Sequence, residues 1–279
     1  MSRLTNFING IEGVISGGSA TARFPVTRRY HNSLLFVAGA LTATPGTPLV
    51  AENIVDSMQI TVNQVLIRDM SCAEYRKIAK FNGLTIDDNV IPVYFSEPWR
   101  KTPTGEESFS WDLVGQTEMV MKVNFKSDLV GMSLKILAEF DFDRNTAINT
   151  ADGNPFFFLN IMRQKGTSYN PGAGEFDITT LPIIDPIHRI HMQVAAGTID
   201  KIEVFKDDIK WVEGLTAQYN ERLVQGGFDP SLFSLSVVFD PDQQASSFIA
   251  VKRTLLVRPT FSAGGSLRVL LESAANGFR

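Results

Sequence analysis

The feature that most constrains this chain is an alternation of period two that returns, in the same order, in both halves. Met119, Met121, Val123 and Phe125 alternate with Lys122 and Asn124, and Leu134, Ile136, Ala138 and Phe140 alternate with Ser133, Lys135 and Glu139. Phe233, Leu235, Val237 and Phe239 alternate with Ser234, Ser236 and Asp240. An apolar residue at every second position describes a strand with one face buried. Turn clusters such as Pro45-Gly46-Thr47-Pro48 and Asn170-Pro171-Gly172-Ala173-Gly174 separate such stretches. Many short alternating strands point to a sandwich or barrel.

Four matches between the halves run collinearly. Phe24-Pro25-Val26 returns as Leu181-Pro182-Ile183, and on the same spacing His31 falls on His188 and Val37-Ala38 on Val194-Ala195. Ile60-Thr61-Val62 returns as Ile202-Glu203-Val204, Met119–Phe125 as Leu255–Phe261, and Ser133–Glu139 as Ser266–Glu272. Any two strands share alternation, so each match alone is weak; their common order is what implies a tandem duplication. The loop Ala40 to Val55 has little counterpart after Gly197. The expected architecture is all-β: two tandem eight-stranded jelly rolls with short helices in inter-strand connections. Residues 1–16 read as an N-terminal arm, 17–145 as the first jelly roll and 146–279 as the second, with 146–154 as linker.

Helix signals are few. Ser71-Cys72-Ala73-Glu74 has the form of a capping box, after which Tyr75, Ile78, Ala79 and Asn82 share a face and Gly83 is a stop. The stretch Trp211 to Gln225 reads as a second helix, with Leu215, Tyr219 and Leu223 on one stripe. The N-terminal Leu4, Phe7, Ile8, Ile11, Val14 and Ile15 also fall at helical spacing, although Gly10 and Gly13 weaken a helix there. Because this segment precedes the first repeat, Leu4, Phe7, Ile8 and Ile11 are candidates for contact with a neighbouring subunit or an inner layer, the alternative being docking on the chain's own body.

Composition narrows the function. With 26 basic and 30 acidic residues the net charge is −4, which disfavours direct nucleic-acid binding. Charged residues make up 20% of the chain, below the usual ~25% of soluble domains, which suggests covered surface. The lone Cys72 cannot form an internal disulfide, the longest apolar run (Leu34 to Leu41) is too short to span a bilayer, and the first residues lack a secretory leader. A soluble protein made in a reducing compartment is expected.

No catalytic residues are assigned. The three histidines lack the pattern of a paired metal-binding β module, and His188 and His191, three apart, should lie on opposite faces of a strand. Nucleophile elbows and phosphate loops are absent, and Cys72 sits inside a helix. Glu139 with Asp141 and Asp240 with Asp242 could pair as glycosidase acids, which keeps open a two-module β-sandwich enzyme or carbohydrate binder acting on glycans. Both pairs lie opposite the apolar residues of their strands, which favours solvated surface. The best metal candidate is Asp141, Asp143, Asn145 and Asp152, whose spacing imitates a calcium loop although Thr146 stands where the tight turn wants glycine.

The run Ile190-His191, Ala195-Ala196-Gly197, Glu203, Asp207 and Lys210-Trp211 resembles the second half of the major capsid proteins of tailless, membrane-containing icosahedral bacteriophages of the corticovirus type. The ending Asn276-Gly277-Phe278 resembles that family's C-terminus, and the strand, hairpin and helix from Met58 to Gly83 fall in the corresponding place. The resemblance implies two upright jelly rolls per chain, a homotrimer forming a pseudo-hexagonal tile, and tiles that meet neighbouring capsomers and minor capsid proteins around an internal lipid membrane. It further implies structural calcium and residence in the virion shell after assembly in the host cytoplasm.

Overall fold

The computed structural model describes residues 3–100, 109–142, 146–149, 155–157, 160–239 and 249–278. It divides into two compact units, the first comprising Met1–Lys80, Leu84–Met162 and Asn276–Arg279, the second Phe81–Gly83 and Arg163–Ala275. The chain thus divides at Met162 and Arg163 rather than at 145.

The strands up to the middle of the chain are β1 (Leu4–Phe7), β2 (Ser19–Phe24), β3 (Arg29–Leu41), β4 (Thr44–Pro48), β5 (Val55–Val62), β6 (Val65–Ser71), β7 (Val90–Tyr94), β8 (Trp111–Asp112), β9 (Met119–Phe125) and β10 (Leu129–Asp141). A short pair, β11 (Thr146–Asn149) and β12 (Pro155–Phe157), follows. The remaining strands are β13 (Asn160–Tyr169), β14 (Gly174–Glu175), β15 (Ile187–Val194), β16 (Ile199–Lys206), β17 (Ile209–Leu215), β18 (Leu235–Val238), β19 (Leu255–Phe261) and β20 (Leu267–Asn276). The helices are α1 (Ala51–Ile54), α2 (Cys72–Phe81) and α3 (Thr216–Gln225). No helix among the described residues is long and apolar enough to cross a membrane.

In the first unit one sheet runs β1-β10-β3, with β7, β8 and β4 all pairing β3, and the other runs β6-β5-β9-β2. In the second unit one sheet runs β13-β20-β15-β18 and the other β14-β19-β16-β17. The chain visits the two sheets of each unit in the same sequence, which makes β1 the counterpart of β13, β3 of β15, β6 of β17, and β10 of β20. Each unit is a jelly roll. All four sequence matches fall on equivalent elements: the Pro25 and Pro182 loops before β3 and β15, then β5 with β16, β9 with β19, and β10 with β20. The loop Ala40 to Val55 is the extra element of the first unit, holding β4 and α1.

The duplication extends to a detail the sequence comparison passed over. The β5–β6 hairpin turns at Asn63 (φ 49°) and Gln64 (φ 66°), and the β16–β17 hairpin at Asp207 (φ 49°) and Asp208 (φ 67°). Two consecutive positive φ values are what a two-residue hairpin needs to match the strand twist, and Asn and Asp tolerate them best. In each turn the first side chain then captures the segment that leads into the next strand of its sheet. Asn63 Oδ1 accepts the amides of Thr117 (2.8 Å) and Glu118 (3.3 Å). The Asp207 carboxylate accepts those of Lys252 (3.2 Å), Arg253 (2.6 Å) and Thr254 (3.2 Å).

The capping box at α2 forms in both directions: the Glu74 amide donates to Ser71 Oγ (3.2 Å) and the Ser71 amide to Glu74 Oε2 (2.7 Å). Tyr75, Ile78, Ala79 and Asn82 are buried. Two helix expectations fail. Trp211 to Leu215 is strand, because Ile209–Leu215 folds back through the Asp207-Asp208 turn to pair with β16; helix begins only at Thr216. The N-terminal segment is also strand: Leu4 to Phe7 pair with Phe140 to Leu137 of β10, and Gly10 and Gly13 adopt φ of 72° and 83° that break any helical stripe. Residues 1–16 therefore are no separate arm, since β1 is the first strand of the first jelly roll. Ile8 is buried, Ile11 half-buried, and Leu4 and Phe7 exposed.

Apolar side chains of the facing sheets fill each core. In the second unit Ile190, Met192, Ile202, Val204, Leu235, Val237, Val257 and Val269 form one cluster. In the first, Trp111 is the largest fully buried side chain, with Phe95 at 4.8 Å and Phe278 at 5.4 Å between ring centroids and the Arg68 guanidinium 4.9 Å from its ring. Trp111→Ala should therefore lower stability by about 3–5 kcal/mol, read as an earlier urea unfolding midpoint; an unchanged midpoint would show that the site repacks.

Candidate assembly surface and buried charge pairs

Both jelly rolls bury an arginine and a carboxylate face to face across their central strand pair. In the first unit Arg29 of β3 lies directly opposite Asp141 of β10. Its Nε and Nη2 donate to Asp141 Oδ1 (2.9 Å) and Oδ2 (2.7 Å), and His31 Nε2 lies 2.7 Å from Oδ2. In the second unit Arg189 of β15 lies opposite Glu272 of β20, with Nη1 3.7 Å from Oε2. Arg189 also donates to Asn82 Oδ1 (2.9 Å), and Gln164 donates to Glu272 Oε1 (2.5 Å). The His31–His188 match thus marks a duplicated arrangement: a cation and a histidine on the third strand of each jelly roll, and an acid on the last.

His188 and His191 do not occupy opposite surroundings. A register shift between Ile187 and Arg189 interrupts the alternation, and both rings approach Glu272 Oε2, at 3.9 Å and 3.6 Å. His191 is fully enclosed, stacked on Phe233 at 4.3 Å, edge-on to Phe81 at 4.9 Å, with Nδ1 2.7 Å from Ser236 Oγ. Burial pushes its pKa down, so the ring is neutral in the fold. Burial alone would push the Asp141 and Glu272 carboxyls up. The Arg29 and His31 hydrogen bonds outweigh that at Asp141, and the His191 contact and Arg189 charge outweigh it at Glu272, holding both carboxyls below their usual range. Sequence patterning missed Arg29, Arg189 and Glu272; the available signal was a charge at the inward end of an apolar strand, beside a repeated histidine.

These contacts correct the loop reading at its first residue. Both oxygens of Asp141 are held by Arg29 and His31, which removes it as a calcium ligand. Asp143, Asn145 and Asp152 lie outside the described residues, and no cluster of three metal-ligating side chains occurs among those described. Nor do Glu139 and Asp141 form an acid pair: Glu139 accepts from Asn32 and from Arg3 (3.4 Å). Asp240 and Asp242 are outside the described residues.

The outward features lie elsewhere. On the second unit Glu203 is bracketed by Lys201 (2.9 Å) and Lys210 (2.8 Å), Glu213 by the same lysines (3.0 Å each), and Arg258 grips Asp177 (2.6 and 3.0 Å). The Lys210 and Lys201 hydrogen bonds pull the Glu203 carboxyl down to about 2. Beside this charged lattice runs β17, the last strand of its sheet, with every residue exposed or half-buried. Ile209, Trp211 and Leu215 are 64%, 53% and 52% exposed. At the opposite end of the chain, β1 ends its own sheet with Leu4 and Phe7 exposed. Uncovered apolar edge strands are what monomeric proteins avoid and assemblies use.

Two outcomes follow for the buried groups. Asp141→Asn removes a charge partner of the buried Arg29 guanidinium and should lower stability by about 3–5 kcal/mol, whereas Asp177→Asn at the surface should leave the urea midpoint nearly unchanged. Because His191 resists protonation in the fold, acid favours the unfolded chain once pH drops below about 6.5, the ordinary histidine pKa. Asp141 and Glu272 resist protonation too, so a second loss sets in below about pH 4. Thermal unfolding from pH 8 to pH 3 should show both stages, with His191→Gln weakening the upper one.

The fold and sequence have known counterparts. The model of the viral coat protein P2 N-terminal domain matches residues 5–141, and that of the viral coat protein P2 C-terminal domain matches residues 161–276. No curated protein matches the sequence. Among solved structures, the major capsid protein P2 from bacteriophage PM2 superposes with a TM-score of 0.82 at 16% identity, covering 98% of this chain and 97% of that one. The STIV MCP gives 0.72 at 9% identity, covering 100% and 98%, and the PBCV-1 virus capsid 0.62 at 9%, covering 98% and 93%. At these identities the superpositions establish the fold, and the family comes from the two domain models. The chain belongs to the viral coat protein P2 family, as a structural capsid protein and not an enzyme.

Proposed function

We propose that three copies of this chain form a pseudo-hexagonal capsomer, the main tile of the shell of an icosahedral, membrane-containing phage. The observation that carries this reading is the duplication itself: two jelly rolls of the same strand order in one chain. Three such chains around an axis present six similar barrels, so a threefold oligomer acquires edges of near-sixfold repeat that can pack side by side. The low charged share, 20%, and the exposed apolar edges are consistent with surface removed from water between copies. A net charge of −4 suits a shell kept apart from the genome by lipid. Neighbouring capsomers and minor capsid proteins complete the shell, assembled in the host cytoplasm. Light scattering on the purified full chain should give three times the 30.8 kDa chain mass; a strictly monomeric species at every concentration would overturn the trimer.

A further inference from the structure

An asparagine followed by glycine carries an electrophile, its side-chain carbonyl, next to a nucleophile, the glycine nitrogen. Glycine has no side chain to block the approach of one to the other. The sequence holds three such pairs, Asn9-Gly10, Asn82-Gly83 and Asn276-Gly277. The fold treats them differently. Asn82 is 8% exposed, and its Oδ1 accepts a hydrogen bond from Arg189 (2.9 Å). Asn276 is the last residue of β20. Asn9 and Gly10 lie beyond the end of β1, outside any strand or helix, and both are exposed. Gly10 has a φ of 72°, and the space where a Cβ would stand is empty to 4 Å. Among the described residues no hydrogen bond holds the Asn9 carboxamide or the Gly10 amide. The chain is nevertheless anchored on both sides of the pair. The buried Ile8 donates its amide to the Ile136 carbonyl (2.8 Å), and Glu12 exchanges backbone hydrogen bonds with Thr21 (3.1 and 2.9 Å).

We propose that Asn9 is a self-modification site, where the side chain closes onto the Gly10 nitrogen and then opens as an acid. The Gly10 nitrogen attacks Asn9 Cγ and a C–N bond forms. The side-chain nitrogen leaves as ammonia, taking up the proton that Gly10 gives to solvent, and a succinimide ring remains. Water then opens the ring. Addition at the side-chain carbonyl breaks the new C–N bond and gives aspartate. Addition at the main-chain carbonyl breaks the original peptide bond and gives isoaspartate. Water is the sole co-reactant, and the chemistry is complete within one chain. Either product adds one negative charge two residues from the exposed Phe7, so an aged chain presents a different first-strand edge from a fresh one. Isoaspartate also routes the main chain through the side-chain carbon, which lengthens the path between the Ile8 and Glu12 anchors.

Peptide mapping tests it. The full chain is incubated at pH 8 and at pH 6, digested with trypsin and followed by mass spectrometry, with isoaspartate resolved by retention. The fragments Leu4–Arg23, Phe81–Arg100 and Val269–Arg279 report the three pairs separately. Asn9 should convert at least about tenfold faster than Asn82, whose buried carboxamide reacts only when the surrounding structure opens. In the guanidinium-unfolded chain the two rates should converge, because the difference comes from the fold. Attack requires the Gly10 nitrogen to lose its proton, so conversion should be slower at pH 6 than at pH 8. Asn9→Gln, which would have to close a larger ring, should abolish conversion in Leu4–Arg23 and leave Phe81–Arg100 unchanged. Conversion of Leu4–Arg23 that persists in this variant places the chemistry at Asn6 and overturns the proposal. An Asn9 that stays intact in the folded chain, or converts no faster there than Asn82, overturns it equally.

Discussion

Each jelly roll is organised around one long-range strand pair, β3 with β10 and β15 with β20, and each pair is pinned by a buried arginine–carboxylate contact. Backbone hydrogen bonds alone do not choose a register, because any slip remakes them. A slip of one residue here would move every apolar side chain to the wrong face and strand a buried ion as well. Arg29 and Asp141 are cross-strand partners, as are Arg189 and Glu272. The two partners of each pair come from opposite ends of their unit, so the contact closes the fold and forms only when the intervening strands are in place. That cost in desolvation is offset by specificity, which a shell protein needs in order to offer the same edges in every copy.

The duplication is physical as well as topological. The hairpin turns at Asn63-Gln64 and Asp207-Asp208 share backbone geometry and the use of their first side chain, although the residues differ. The buried clusters share their strand positions, although one uses Asp141 with His31 and the other Glu272 with His188 and His191. Among the described residues, the buried Asp141 and Glu272 carboxylates are enclosed and engaged by Arg29 and Gln164.

Much of this was legible in the chain. Period-two alternation located β9, β10 and β18, the collinear matches identified equivalent strands, and Ser71 with Glu74 marked the start of α2. Helical spacing misled twice, at Leu4–Phe7 and at Trp211–Leu215, because a few apolar residues three or four apart also fit an edge strand with an exposed face. In both places the partner strand decided the conformation. The acidic cluster from Asp141 misled for a related reason: spacing reports which oxygens are near in sequence, while Arg29 and His31, more than a hundred residues away, had already engaged the first of them.

By itself the sequence determined the strand content and the duplication, because these depend on local alternation and order. Only the tertiary structure decided which charges are buried against one another and which edges stay bare. Both depend on register between strands distant in the chain, and register is a property of the pair that neither strand carries alone.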